Sequence, residues 1–362
     1  MKLSFALAII IVVSVLLEAS SQAATIQVTS GNNIQDAIDT ASQGDIIEVH
    51  SGIYHENVNV IKTLVLRGIG DPTIDAEDGG SAITLSSDGN TIEGLVLTGS
   101  SASQAGINVT DVSRDNLING NTVTGNRGDG IDLWASENNS ISGNTINNND
   151  KNGIGLWSCD HILITKNSVS SNNGSGLFGG CVDSSITGNT IKANNGSGVV
   201  FLNAFNNRIA SNQASGNKVN GIMLIYGWNN SIAGNIASVN GNSGISLLFS
   251  WRNSIIANTA HKNFIGIFLG NSSDNNVVSS NEVNSNRLGI QLSSSNNNTL
   301  YENYLKENDY SAFDDSKNQW DNGIKGNHYS DFNCKDANKN DICDSSLNIQ
   351  GGSSRDRYPL AS

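Results

Sequence analysis

A glycine followed by an apolar residue recurs at Gly106, Gly130, Gly153, Gly176, Gly198, Gly221, Gly244, Gly266 and Gly289, at spacings of 24, 23, 23, 22, 23, 23, 22 and 23. A second marker keeps the same time: Asn121, Asn144, Asn167, Asn189, Asn212, Asn235, Asn258, Asn281 and Asn303 follow one another at 22 or 23. Two markers in phase over nine cycles bind the chain to a solenoid, in which each repeat buries its apolar face only against its neighbours. A period in the low twenties allows leucine-rich repeats or a parallel β-solenoid. The phrases G-I-D-L-W from Gly130, G-I-M-L-I from Gly221 and G-I-S-L-L from Gly244 alternate apolar and variable residues, as a strand does. No copy holds ten residues of helical periodicity, and the leucine-rich Asn/Cys pattern is missing. The expected fold is all-β: a right-handed parallel β-helix with three short strands per coil.

Stacked coils place like residues over like. Ile131 and Leu133, Ile154 and Leu156, and Ile222 and Leu224 are then inward aliphatic columns. The asparagine column becomes a ladder in which each amide bonds the next. Nine coils at about 4.8 Å each make a rod on the order of 40 Å long, with both ends in need of caps.

In chain order, Met1 to about Ala24 reads as an export signal, with Lys2, an apolar run from Leu3 to Leu17, and small residues at Ser21, Ala23 and Ala24. An uncleaved membrane anchor is the alternative; no later stretch is apolar enough to span a bilayer. Residues 25–308 form the β-helix, of which 25–100 are an N-terminal cap with irregular first coils and 101–308 the regular coils. Within the cap, Ile34, Ala37, Ile38 and Ala41 at helical spacing predict one short lid helix, stopped by Gly44. Residues 309–362 change composition and are expected to be an irregular C-terminal cap.

The formal charge of −13 excludes a nucleic-acid partner, since phosphate binding needs clustered Lys and Arg. The four cysteines fall into two pairs, Cys334 with Cys343 and Cys159 with Cys181, the latter 22 apart on adjacent coils. An exported protein permits a disulfide in each, buried free thiols being the alternative.

The opening I-Q-D-A-I-D-T-A-S-Q-G-D-I-I-E-V-H-S-G-I-Y-H-E-N-V (34–58), the repeats, W-D-N-G-I-K-G-N-H-Y-S-D-F (320–332) and D-R-Y-P-L (356–360) resemble archaeal surface proteins with a NosD-type β-helix domain. These belong to the pectin-lyase-like superfamily and to the group called carbohydrate-binding and sugar-hydrolysis repeats. The resemblance implies a secreted or cell-surface protein. It also raises copper, because NosD is associated with maturation of a copper enzyme. Copper wants converging His, Met or Cys; His50, His55, His161, His261 and His328 are scattered, and Met223 is the one Met after the first residue, so copper is not expected.

Pectin-lyase-like enzymes imply clustered carboxylates, one holding a proton or metal while another stays ionised. Asp129, Asp132, Glu137 and Asp160 lie on neighbouring coils, and Asp132 and Asp160 are the candidate catalytic pair. The superfamily's N-T-D, G-H-G and R-I-K hydrolase signatures are absent. Binding has more support. The outward strand positions are apolar in the middle coils, Trp134 and Trp157 among them, and Phe205, Trp228 and Trp251 recur at 23, as do Tyr226 and Phe249. Flat rings at coil spacing suit stacking on sugar faces, and an exposed apolar stripe marks an interaction site. Burial of the stripe under the C-terminal segment or a second copy, or rings that only stabilise turns, are the competing readings. Asp336, Asn338, Asn340 and Asp344 repeat oxygen ligands at Ca²⁺-loop spacing, with Asp341 where such loops carry Gly and no Glu at the twelfth position. Sequons at Asn108, Asn138, Asn173, Asn195, Asn229, Asn271 and Asn297 are as many as so Asn-rich a chain produces by chance.

The sequence therefore favours non-catalytic binding of a polysaccharide or surface glycoprotein at the cell surface. A polysaccharide lyase or glycoside hydrolase, and a NosD-like periplasmic maturation factor, are the alternatives.

Overall fold

The computed structural model describes residues 23–110 and 113–361. The export signal thus lies outside the described residues save for Ala23 and Ala24. Among the described residues no helix is long and apolar enough to cross a membrane. The chain is a right-handed parallel β-solenoid of about 13 turns, built from three parallel sheets of 13, 12 and 13 strands.

Register explains the period. In the second sheet Ile131 pairs with Ile154, then Leu177, Val199, Ile222, Ile245, Ile267 and Ile290, one residue per coil. Every member of this column is fully buried, as is the column of Leu133, Leu156, Leu224, Leu247, Leu269 and Leu292. The irregular stretch 25–100 forms full coils too, its first strand Thr25–Val28 pairing with Ile46–His50. With those turns the rod is on the order of 60 Å long rather than 40 Å.

Three asparagine ladders, not one, run beneath the turns. The expected ladder continues from Asn121 through Asn303 to Asn327, each Oδ1 accepting from the backbone N–H and Nδ2 of the preceding asparagine. A second runs from Asn126 to Asn308 in the same manner. A third links Asn90, Asn116 and Asn139, stops at Ile162, and resumes from Asn207 to Asn318. From Asn121 on, each ladder amide also donates to a backbone carbonyl of the preceding coil, as Asn212 does to Ile186 at 2.8 Å, so donors and acceptors inside the turn are matched.

The helix Ile34–Thr40 closes the N-terminal end, with Asn33 accepting from the Asp36 amide and Ile34, Ala37 and Ile38 buried on the first coils. At the other end the solenoid outlasts residue 308: Tyr310–Asp314 extends the second sheet and His328–Tyr329 the third. The irregular cap begins only after these strands. Its Asp356, fully buried, ends the longest ladder by accepting from the Asn327 amide at 2.7 Å and the Tyr329 hydroxyl at 3.1 Å. Cys334 and Cys343 form a disulfide across 5.3 Å between Cα atoms. Cys159 and Cys181 do not: they are register partners but remain buried free thiols. Side chains of in-register parallel neighbours leave the sheet side by side about 4.8 Å apart, whereas a disulfide needs Cβ atoms nearer 3.8 Å.

Asn212→Ala should strand the Asn189 amide and side-chain donors in a dry turn. The expected loss is about 2–4 kcal/mol of unfolding free energy, read by denaturant titration. The exposed Asn195→Ala, also on a turn, should change stability by under about 0.5 kcal/mol.

Candidate functional site

Alternation sends the second and fourth residues after each repeat glycine out of the second sheet, so Asp132 and Trp134 leave the core while Ile131 and Leu133 enter it. The outward rings form columns, and their orientation corrects the expectation of open stacking faces. Phe205 and Trp228 lie parallel at 4.5 Å between centroids, Trp228 and Trp251 at 5.6 Å, and Tyr226 and Phe249 at 5.0 Å. Rings stacked along the rod spend their faces on one another and show edges to water. Tyr226 and Phe249 hold backbone φ of 55° and 49°, a conformation costly for bulky residues, beneath their paired rings. The C-terminal cap does not cover this face: Trp134, Tyr226, Phe249 and Trp251 are all exposed.

Ring faces become available where a column is interrupted. Trp134 and Trp157 sit tilted at 6.2 Å, Trp134 being 56% exposed. In the next coil Trp157 meets Gly180, and Val182 stands where the following coils carry Phe205, Trp228 and Trp251. That coil keeps one outward ring, Phe178, which packs against Trp157 at 5.7 Å between centroids, but has no large side chain at Gly180. The result is a cleft of about 580 Å³ floored by Gly179 and Gly180 and walled by Trp157, Asp160, Leu202 and Phe205. Both glycines are imposed by the backbone: a Cβ would come within 1.8 Å of the Leu156 carbonyl oxygen at Gly179 and 2.1 Å of the Leu202 carbonyl oxygen at Gly180. The register slips between Trp157 and Cys159, a bulge of the kind that re-aims side chains beside binding sites.

Asp132 and Asp160 are not brought together. Asp132 pairs with Gly155, whereas Asp160 lies five residues further along that strand, opposite Val182 and bridged to Glu137. At about 3.3 Å per residue this puts their Cα atoms on the order of 10 Å or more apart. The carboxylate that does approach Asp132 is Asp129. Asp132 Oδ1 and Asp129 Oδ2 lie 2.4 Å and 2.6 Å from the point a Gly155 Cβ would occupy, hence at most 5.0 Å from each other. Asp129 is anchored by the Asn152 amide at 2.7 Å. Asp132 Oδ1 is shielded from water without a hydrogen-bond partner. Burial first, then the Asp129 charge, hold the Asp132 carboxyl up to about 6, and burial raises Asp129 as well. Asp132 and Trp134 also line a neighbouring hollow of about 300 Å³ with Gln104, Asn108 and Thr110.

Among the described residues, one group of three metal-capable side chains has its ligand atoms within 4.8 Å of one another: Asp160, His161 and Asp183, on the cleft rim. Asp160 Oδ1 is 2.9 Å from His161 Nδ1 but in a geometry that makes no hydrogen bond. One imidazole and two carboxylates make a mixed N,O donor set, without the thiolate or thioether that selects Cu(I). The Met223 sulfur accepts from Asn220 Nδ2, and the Cys159 thiol is pushed up by burial. In the C-terminal loop, Asp336 accepts from the amides of Asn340 and Asp341, and Asp344 from that of Ala337. Asn338 and Asn340 accept from Asn340 and Ile342, so the four proposed calcium ligands share one loop with amides as their partners.

The family model described as periplasmic copper-binding protein (NosD) matches residues 179–334, and that of the right-handed beta helix region matches 81–237. No curated protein matches the sequence. Among solved structures, the A-module of Azotobacter vinelandii mannuronan C-5 epimerase AlgE6 is similar over 79% of this chain and 92% of its own, at TM-score 0.59 and 15% identity. The DFA-IIIase of Arthrobacter chlorophenolicus A6 in complex with GF2 matches over 84% and 93%, at TM-score 0.53 and 15% identity. The Dettilon tailspike protein matches over 79% and 59%, at TM-score 0.53 and 16% identity. Identities this low carry the fold alone. The chain is a right-handed parallel β-helix, and its residues 179–334 are similar to the NosD family model.

Proposed function

We propose that this protein is exported and binds a polysaccharide, or the glycan of a surface glycoprotein, without altering it, along the outward face of the second sheet. The observation that carries this reading is that two ring columns end at one coil, Trp134–Trp157 at Gly180 and Trp251–Trp228–Phe205 at Val182, so that Trp157 and Phe205 both line a glycine-floored cleft whose size suits a sugar unit or two. Trp134 prolongs the platform on one side, while Asp160 and Asn203 supply polar groups for hydroxyls. Trp228, Trp251, Tyr226 and Phe249 act behind this site, stiffening the wall that Phe205 ends. The epimerase and the DFA-IIIase that share the fold are named for, or hold, saccharides, which accords with this reading.

Binding to a panel of oligosaccharides, followed by calorimetry, tests it. Trp157→Ala and Leu202→Trp, which remove one wall and fill the cleft, should each weaken binding by about tenfold or more, equivalent to about 1.4 kcal/mol. Trp251→Ala, outside the cleft, should leave it within about twofold. A panel that yields no ligand, or variants that bind like the parent, would remove the proposal.

A second reading, polysaccharide cleavage, draws on the Asp129–Asp132 pair. Two carboxylates sharing one site, with Asp132 at about 6, resemble the arrangement in which one acid donates a proton while its neighbour stays ionised. Release of new reducing or unsaturated ends, abolished in Asp132→Asn, would favour it over simple binding. The pair also predicts a stability effect whose sign is fixed. Because the folded value of Asp132 is raised from 3.8 to about 6, its protonated form is favoured by folding; that contribution is complete below pH 4 and lost as pH rises through 6. Asp132→Asn should therefore be more stable than the parent at pH 7.5, by about 1–3 kcal/mol, with the difference closing near pH 4 in thermal melts.

A further inference from the structure

A separate hollow opens where the solenoid meets its C-terminal cap, and its charge is the reverse of the cleft's. It measures about 480 Å³, and every residue lining it is polar, with Lys317, Arg355 and Arg357 among them and no carboxylate. The cleft and the hollow beside Asp132 have no Lys or Arg in their linings. In a chain with 33 acidic and 20 basic residues, three bases gathered without an acid need a structural cause. Lys317 to Gln319 lie as one more rung on the first sheet: the Asn297 amide donates to the Lys317 carbonyl at 2.9 Å, and the Gln319 amide to that of Asn298 at 2.9 Å. The Ser354 hydroxyl ties this rung to the cap strand Arg355–Asp356, accepting from the Asn318 amide and donating to the Ser316 carbonyl. Alternation buries Asp356 and leaves Arg355 and Arg357 exposed on either side of it. Arg357 is held in place, because the carboxylate of Asp321, 1% exposed, accepts from its Nε at 3.0 Å and from its Nη2, leaving Nη1 over. Asp321 and Arg357 belong to the W-D-N-G and D-R-Y-P-L motifs, which the cleft leaves without a role. Their pairing cancels one of the three charges. Lys317 and Arg355 have no ion-pair partner among the described residues, and Asp315 in the adjoining turn is taken up by Ser293, Ser294 and Ser316.

We propose that this hollow binds a sulfate or phosphate ester carried on a saccharide. Two guanidinium groups and an ammonium suit a tetrahedral ester, whose three terminal oxygens can serve several cations, better than a planar carboxylate that one Arg fork satisfies. The amide side chains of Asn297, Gln319 and Asn348 add donors and acceptors for hydroxyls, which a bare inorganic ion would leave unused. An acyl chain or an aromatic base would find no apolar side chain to rest on. The hollow also stands apart from the cleft. The turn column from Phe205 through Trp228, Trp251 and Asp274 to Asn296 spans four coils, on the order of 20 Å. The assignment therefore does not rest on the saccharide reading of the cleft, and each can fail alone.

Calorimetric titration of the full chain at low and at high salt tests it, with four tetrasaccharides as probes: a sulfated galactan, a phosphorylated mannan, an unsubstituted galactan and a galacturonan. Inorganic sulfate and phosphate are titrated beside them. At least one ester should bind tighter than the unsubstituted galactan by about tenfold or more at low salt, the gap shrinking as salt screens it, and the tighter ester names the group. Galacturonan and the inorganic ions should each be weaker than that ester by about tenfold. In Lys317→Gln/Arg355→Gln, both exposed positions, the preference for the ester should fall toward unity. In Lys192→Gln, an exposed base on the third sheet, it should persist. A preference that survives the double substitution, or esters that bind no tighter than the unsubstituted galactan, would overturn the site. Galacturonan matching the ester would overturn the tetrahedral group, and an inorganic ion matching it would overturn the saccharide carrier.

Discussion

Hydrogen bonding between successive coils in exact register is what everything else in this molecule depends on. A parallel sheet pairs each residue with its counterpart one turn away, and here three sheets do so around one hydrophobic column. The turns between the sheets would leave amides and carbonyls unsatisfied, and the asparagine ladders resolve this by giving each turn a side chain that mimics one more strand. An Asn does this better than Ser or Asp because one amide carries both an acceptor for the coil before it and donors for two further partners. At its far end the longest ladder needs an acceptor with nothing to donate, and the buried carboxylate of Asp356 provides it.

Strict register has a consequence for the surface. Whatever side chain a coil carries outward is aligned with those above and below, so columns of rings arise without any requirement for ligand, and their faces are consumed within the column. A site that can hold a ligand must come from a departure. The departures in this chain coincide: the third ladder lapses at Ile162, where the Ser184 hydroxyl takes over as acceptor; the register slips after Trp157; and Gly180 replaces a bulky outward residue while Gly179 replaces an inward one. A missing side chain in a periodic wall is a cavity of one repeat unit.

The fold was legible because its cause is periodic: Gly106 to Gly289 and Asn121 to Asn303 report the coil length directly. The second and third ladders were equally periodic, at Asn126 to Asn308 and Asn207 to Asn318, but lay hidden in a chain where asparagine is abundant everywhere. The end of the solenoid was missed because Tyr310–Asp314 and His328–Tyr329 pair through backbone groups while their side chains depart from the repeat. Ring orientation was out of reach for a different reason. Spacing places Trp228 over Phe205 but does not say whether faces or edges meet water, which depends on side-chain torsions set by neighbours. The cleft did leave a trace, a coil shortened to 22 between Gly176 and Gly198 together with Gly179-Gly180, a signal that reads as turn chemistry until the register is known.

The carboxylates show how the same geometry divides roles that sequence treats alike. Asp132 and Asp160 stand on consecutive coils, yet the register assigns one to Gly155 and the other to the far side of the bulge. Asp129, three residues from Asp132 and just before the repeat glycine, reaches it instead because Gly155 has no Cβ to keep them apart. Any larger residue at 155 would occupy the point where the two acids meet, forcing at least one of them toward solvent and releasing the burial that raises Asp132. The absent side chain at Gly155 therefore governs the protonation of the acid pair, as those at Gly179 and Gly180 govern the shape of the cleft, and both act on the second sheet of the rod.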